Sequence, residues 1–254
     1  MAGILKFKAM AWLVLLLGTS APSVAAADFV DFTPSDRLVE VDVHAIGGAS
    51  SVMQNYKSCF PQIQNLNVNM GASLGIGARA VFGLRGYLGF GTAIDVTLNN
   101  YNVDMAVMGT DRASMSAVFI DNHTYKVNVP VFVSFRFNVD RSVRWNVDVG
   151  VYYSYGFAGT QKQNIYRADI NEMEELVSQK LNVKTDYYHS ENTFINSFNR
   201  GDIGLHVATS LNFGPHLLVG VRAQTGLKNS ARPNGVRNPM IRNYDFHAVL
   251  GYRF

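Results

Sequence analysis

From Val39 onward the chain alternates apolar and polar residues with a period of two, in one stretch after another. At the far end, Tyr244, Phe246, Ala248, Leu250, Tyr252 and Phe254 form one apolar face, and Asn243, Asp245, His247, Val249, Gly251 and Arg253 the other. Such alternation marks a strand between two different environments. Trp145–Phe157 places Trp145, Val147, Val149, Val151, Tyr153, Tyr155 and Phe157 opposite Asn146, Asp148, Gly150, Tyr152 and Ser154. The same pattern runs through Val39–Ile46, Met70–Phe82, Leu88–Leu98, Tyr125–Phe137, Asp202–Phe213 and His216–Leu227. Most segments are about nine to thirteen residues, close to what a tilted strand needs to cross a bilayer.

Eight strands follow, and their connections alternate in length. Gly83–Gly86, Asn138–Arg144 and Gly214–His216 are short, whereas 48–68, 99–124, 158–201 and 228–242 are long. Outer-membrane barrels have short periplasmic turns, long external loops and an even strand number. Aromatics mark both ends of the apolar face: Phe82, Phe90, Phe137, Trp145, Phe213 and Phe254 at one, Tyr125, Tyr155, Phe157 and Tyr244 at the other. The pattern therefore predicts an all-β fold, an eight-stranded antiparallel transmembrane β-barrel with long external loops, one containing a short helix. Both termini are expected in the periplasm, and the C-terminal aromatic is read as the end of the barrel with no domain after it.

The stretches Asn128–Val133 (NVPVFV), Trp145–Val151 (WNVDVGV), Gly201–Leu205 (GDIGL) and Leu250–Phe254 (LGYRF) resemble the PorT-like outer-membrane β-barrel domain family. The resemblance runs from about residue 38 to the end, and its motifs specify architecture more than chemistry. It implies an integral outer-membrane protein, and the family's named member takes part in protein secretion. No motif here carries that role over.

Ahead of the first strand, Lys6 and Lys8, the apolar run Met10–Leu17 and Ala25-Ala26-Ala27 read as a secretory signal peptide over residues 1–27. Residues 28–37 would be a periplasmic N-terminal segment and 38–254 the barrel. Cleavage removes two lysines and no acid, so the net charge falls from +3 to +1, which gives no support to nucleic-acid binding. The single cysteine, Cys59, excludes an internal disulfide framework. Hydrophobic residues make up 48% of the chain, yet after the signal no apolar run reaches helix-spanning length. A barrel, with half of each strand facing lipid, has this composition.

The inward face collects Glu40, Asp42, Asp95, Asp148, Asp202 and Asp245 against Arg79, Lys126, Arg136, Arg222 and Arg253, with His44, His206 and His247 among them. Side chains fill the interior of an eight-stranded barrel, so these charges should pair. They would form either a proton or ion path or a static polar plug. Asp245 and His247 share a face, but no nucleophile motif or metal-ligand spacing accompanies them, and the outward faces offer threonines such as Thr92, Thr209 and Thr225 but no histidine. An enzyme is not expected, nor a cofactor or metal.

The loop Ala158–Gly201 is the candidate for a specific role. Asp169–Leu181 fits a short amphipathic helix, with Ile170, Met173, Leu176, Val177 and Leu181 on one side and acids near its start. Tyr166 precedes it, and Tyr187, Tyr188 and Phe194 follow. The segment would be either a partner-binding element or a lid on the barrel mouth. Tyr101–Met108 and Ser114–Ile120 extend a hairpin beyond the membrane and offer an edge for β-augmentation. The expected function is a Gram-negative outer-membrane barrel with a charge-plugged lumen, acting through external loops or in membrane integrity. The alternative is a narrow channel or a secretion accessory. Expected partners are outer-membrane lipid, the barrel-assembly machinery through the C-terminal strand, and an extracellular or envelope protein.

Overall fold

The computed structural model describes residues 29–33, 35, 37–109, 114–170, 176–189, 198–232 and 239–254. The segment 1–27 expected to be a signal peptide, Met173 and Phe194 lie outside them. In chain order the elements are β1 (Val39–Gln54), α1 (Tyr56–Cys59), β2 (Ile63–Arg85), β3 (Leu88–Met108), β4 (Ser114–Asp140), β5 (Val143–Ile170), β6 (Leu176–Asp186), β7 (Gly201–Phe213), β8 (Leu217–Gly226) and β9 (Ile241–Arg253). All pairings are antiparallel, in the order β1–β2–β3–β4–β5–β7–β8–β9, and β9 returns to β1 to close a ring of eight strands. Closure satisfies the backbone of every ring strand without water, which lipid demands. β6 stands outside the ring, paired among the described residues only with the far part of β5, Thr160–Ile170.

The alternation along each strand separates the two faces as the sequence reading expects. Val131, Val149, Val151, Leu205, Val207, Val219 and Leu250 are exposed to the outside, where lipid covers them. Asp42, Asp95, Ser134, Asp148, His206 and Arg222 are buried inside. Short turns join β2 to β3 and β4 to β5; in the β7–β8 turn Gly214 takes a φ of 58°, the left-handed region that favours glycine. The N-terminal segment packs at this turn end. Gly86 donates to the Thr33 carbonyl, Phe29 stacks on Phe137, and Arg37 Nη1 donates to the Phe254 carbonyl.

The strands differ greatly in length. β7, β8 and β9 have 13, 10 and 13 residues, whereas β4 and β5 have 27 and 28. β7 matches only Val143–Tyr155 of β5, so the remainder of β5 rises past the membrane band. At about 3.3 Å per residue, that remainder is roughly 50 Å of strand. The expected hairpin over Tyr101–Met108 and Ser114–Ile120 is present as the upper part of β3 and β4.

Within β3 the polarity of the alternation inverts. Inward Asp95, Thr97 and Asn99 give way to inward Tyr101, Val103 and Met105, while outward Ile94, Val96 and Leu98 give way to Asn100, Asn102 and Asp104. Above this point the outside meets water, so the apolar side chains move inward. Together with Ile120, Tyr187, Tyr188 and Phe198 they form an apolar core in the barrel mouth.

One element is corrected. The described parts of Asp169–Leu181 are strand and not helix: β5 runs to Ile170 and β6 begins at Leu176. Helical spacing of Ile170, Met173, Leu176 and Leu181 coexists with a period-two pattern in which Val177, Leu181 and Val183 alternate with Ser178, Lys180, Asn182 and Lys184. The backbone of β5 offers that second pattern a full ladder of partners, from Thr160↔Asp186 to Ile170↔Leu176, and the ladder prevails over a marginal short helix. The short helix in an external connection is α1 instead.

Candidate functional site

The lumen is built in layers. At the turn end, Glu40 meets Arg144 at 3.0 Å, Arg136 at 3.3 Å and Arg253 at 3.5 Å. One layer up, Arg79 lies between Asp42 (2.7 Å) and Asp148 (2.6 Å), and Ser134 donates to Asp148. His44 bridges two carboxylates, Nδ1 to Asp42 at 3.1 Å and Nε2 to Asp95 at 2.8 Å, and Arg222 pairs with Asp95. Register creates part of this, because Asp42 faces Arg79 across β1 and β2 and Ser134 faces Asp148 across β4 and β5. The rest comes from across the barrel, where long guanidinium side chains span the narrow interior.

The third layer is held by neutral groups. Asp202 accepts from Asn243 at 2.8 Å and from the Tyr152 hydroxyl at 3.3 Å. Asp245 accepts a long bond from Asn99, and Lys126 donates to Asn243 at 3.3 Å. Thus eight of the eleven inward charges singled out in the sequence join ion pairs, while Asp202, Asp245 and Lys126 are met here by amides and a hydroxyl. Arg144, within the stretch the sequence pattern reads as a short turn, joins Glu40 as well; the alternation continued back two residues from Asn146 places it inward.

Asp245 and His247 do not bond each other. His247 Nε2 lies 2.7 Å from Ser73 Oγ, which itself donates to Asn99 Oδ1 at 2.5 Å. With its proton committed to Asn99, Ser73 accepts from His247, so the imidazole nitrogen facing it carries the hydrogen and cannot act as its base. Between the second-layer charges, Phe132 and His206 a cavity of about 40 Å³ remains. It has room for a few waters at most.

Above the polar layers sits the apolar mouth. Tyr187 stacks on Phe198 at 4.2 Å, meets Tyr188 edge-on at 4.9 Å, and shares a 2.8 Å hydroxyl contact with Tyr101. Burial pushes the Tyr187 hydroxyl well above the usual tyrosine range, with Tyr101 and Tyr188 adding to it. The Arg200 guanidinium lies 5.0 Å from the Tyr188 ring centre. Gly156 allows this approach, since a Cβ there would overlap the Tyr188 hydroxyl. Tyr187 and Tyr188 are therefore lid residues. Tyr166 and Leu176 are not: Tyr166 meets Phe119 edge-on at 5.9 Å on the outer face of the β5–β6 hairpin, where Leu176 is 75% exposed. The predicted loop thus divides into a lid at its end and a projecting hairpin before it.

A ring of this topology, apolar outside and charged within, has the makings of a membrane barrel, and comparison with known families agrees. Residues 35–232 match the family described as outer membrane protein beta-barrel domain. The chain belongs to that family. Members of the outer membrane beta-barrel family reside in the Gram-negative outer membrane, and this chain is placed there with them. Its ring is similar to that of OprG from Pseudomonas aeruginosa (10% identity, TM-score 0.40, 89% of this chain and 98% of that chain). It is similar also to Ail, the attachment invasion locus protein of Yersinia pestis (10%, 0.37, 86% and 100%). A third is Neisserial surface protein A (11%, 0.35, 86% and 98%). At such identities and scores these likenesses say nothing of function. No curated protein matches the chain.

Proposed function

We propose that this outer-membrane barrel is a non-conducting membrane anchor that presents the β5–β6 hairpin to a partner outside the cell. The observation that carries the reading is the length of β5. Its last fifteen residues, Gly156–Ile170, are not needed to cross the bilayer. They hold out a strand, β6, that among the described residues is bonded on one edge only. An open edge beside exposed Tyr166, Leu176, Val177 and Leu181 suits a partner that adds a strand, with backbone bonds giving affinity and side chains selectivity. In this reading the turns and both termini face the periplasm, and the C-terminal strand engages the assembly machinery. The paired charges and the aromatic lid support a closed lumen and no catalytic step.

The test keeps the lid and removes the projection. Asn164 and Asn182 face each other in register, so a short Gly turn in place of Ile165–Leu181 leaves the pairing below intact. The barrel should still fold, since loop length changes closure entropy slowly. A photocrosslinker at Lys180 or Val183 in intact cells should give a discrete adduct that the trimmed barrel lacks. No adduct from any β6 position would overturn the proposal.

A further inference from the structure

The turn end of the barrel holds more guanidinium charge than its carboxylates neutralise. Glu40 alone is shared by Arg136, Arg144 and Arg253. Arg141 is exposed in the β4–β5 turn, and Arg37 lies within electrostatic reach of Arg253. Against these five stand Glu40, Asp140 and Asp31, the last in reach of Arg144. Among the described residues of this mouth guanidiniums outnumber carboxylates.

A cavity of about 360 Å³ opens at the same place, between the β4–β5 and β7–β8 turns. These turns are tied together where Gly214 N–H donates to the Ser142 carbonyl at 2.6 Å. Asn138, Asp140, Arg141, Arg144, Asn212 and Arg253 line it. Asn212 is only 2% exposed, yet among the described residues neither its Nδ2 nor its Oδ1 has a hydrogen-bond partner. Buried amides are normally satisfied, and an orphaned donor at a charged cavity marks a place where a ligand completes the set.

We infer that this cavity binds a phosphate-type anion. A phosphate group offers three or four acceptor oxygens to these several donors, where a carboxylate offers two. Guanidinium forks suit phosphate oxygens, and the Asn212 amide, directly across from Arg144 in the β5–β7 pairing, supplies a neutral donor. The cavity accommodates a phosphate group and part of the molecule carrying it. Given the orientation proposed above, on which the source of the ligand rests, that molecule is a soluble phosphate compound of the periplasm. The inward position of Arg144, Asn212 and Arg253 keeps the site off the lipid-facing wall.

The test uses the full barrel in phosphatidylcholine nanodiscs, titrated with inorganic phosphate at fixed ionic strength and followed by calorimetry. Saturable binding is expected, at least about tenfold tighter than for acetate. Arg141→Gln touches no ion pair of the barrel and Asn212→Ala removes an unpartnered amide, so both should fold and keep heat-modifiable migration. Each should weaken phosphate binding by about tenfold. Equal affinity for phosphate and acetate, or unchanged affinity in both variants, overturns the proposal. Phosphatidylglycerol nanodiscs separate the sources: phosphate affinity should be the same there, and a loss through competition by the lipid overturns a soluble ligand.

Discussion

At membrane height the barrel interior holds Arg79 between Asp42 and Asp148; further along, it holds Tyr101 against Tyr187. Both fillings close the same tube, with opposite chemistry. Where lipid covers the outside, the alternation spends its apolar positions outward, and the interior must be filled by polar groups that satisfy one another. Above the lipid the outside meets water, and the apolar positions return inward to make an ordinary core. The inversion along β3, from Asp95, Thr97 and Asn99 to Tyr101, Val103 and Met105, marks where the solvent changes. The lumen is therefore held by specific pairs that fail badly when one member is lost. The mouth is held by additive contacts that fail gradually.

The largest expected effect separates these two regimes. Arg79→Leu strips the guanidinium from two buried carboxylates and should cost about 3–5 kcal/mol, read by urea titration of the barrel in detergent micelles. A loss below about 1 kcal/mol, the range of exposed pairs, would mean that the layer is hydrated and the plug account is wrong.

The next effect locates the solvent boundary on one strand. Ile94 and Asn102 both point outward from β3, on either side of the inversion. Ile94→Arg should destabilise by about 2–4 kcal/mol if it lies near the midplane. Asn102→Arg should stay within about 0.5 kcal/mol. Equal costs in the same folding titration would show that the two residues share an environment.

A smaller effect belongs to the mouth. Tyr187→Phe leaves the buried Tyr101 hydroxyl without its partner and should cost about 1–3 kcal/mol. Because burial holds the Tyr187 hydroxyl above the usual tyrosine range, the folded mouth keeps a proton that the unfolded chain releases at high pH. Stability should thus be complete below about pH 10 and decline above it. The Phe variant should decline less steeply there; identical alkaline slopes would remove the hydroxyl pair from the account.

Much of the ring was legible because lipid imposes a strict rule on alternate residues, and Val149, Val151, Leu205 and Val219 obey it. The upper hairpin of β3 and β4 was legible because the alternation continues there with its polarity reversed, water replacing lipid on the outside. β6 was not: its residues satisfy two periods, and only the presence of β5 beside it decides between them. Which inward charges meet was legible only in kind. Asp42 and Arg79 are cross-strand neighbours, but Arg222 reaches Asp95 across the tube, and no local pattern encodes the barrel's diameter. The division of the 158–201 loop into lid and hairpin follows from Tyr187 packing on Tyr101 and Phe198, contacts far apart in sequence.

Conductance in a planar bilayer tests the closed tube most directly. The native barrel, with charge layers and an aromatic lid in series, should give no steady current. Loss of the lid alone, by Tyr187→Ala, should leave it silent, because the paired layers at membrane height remain. A large, stable current from the native protein would contradict the account at its centre, since no cavity of about 40 Å³ among paired charges can carry it.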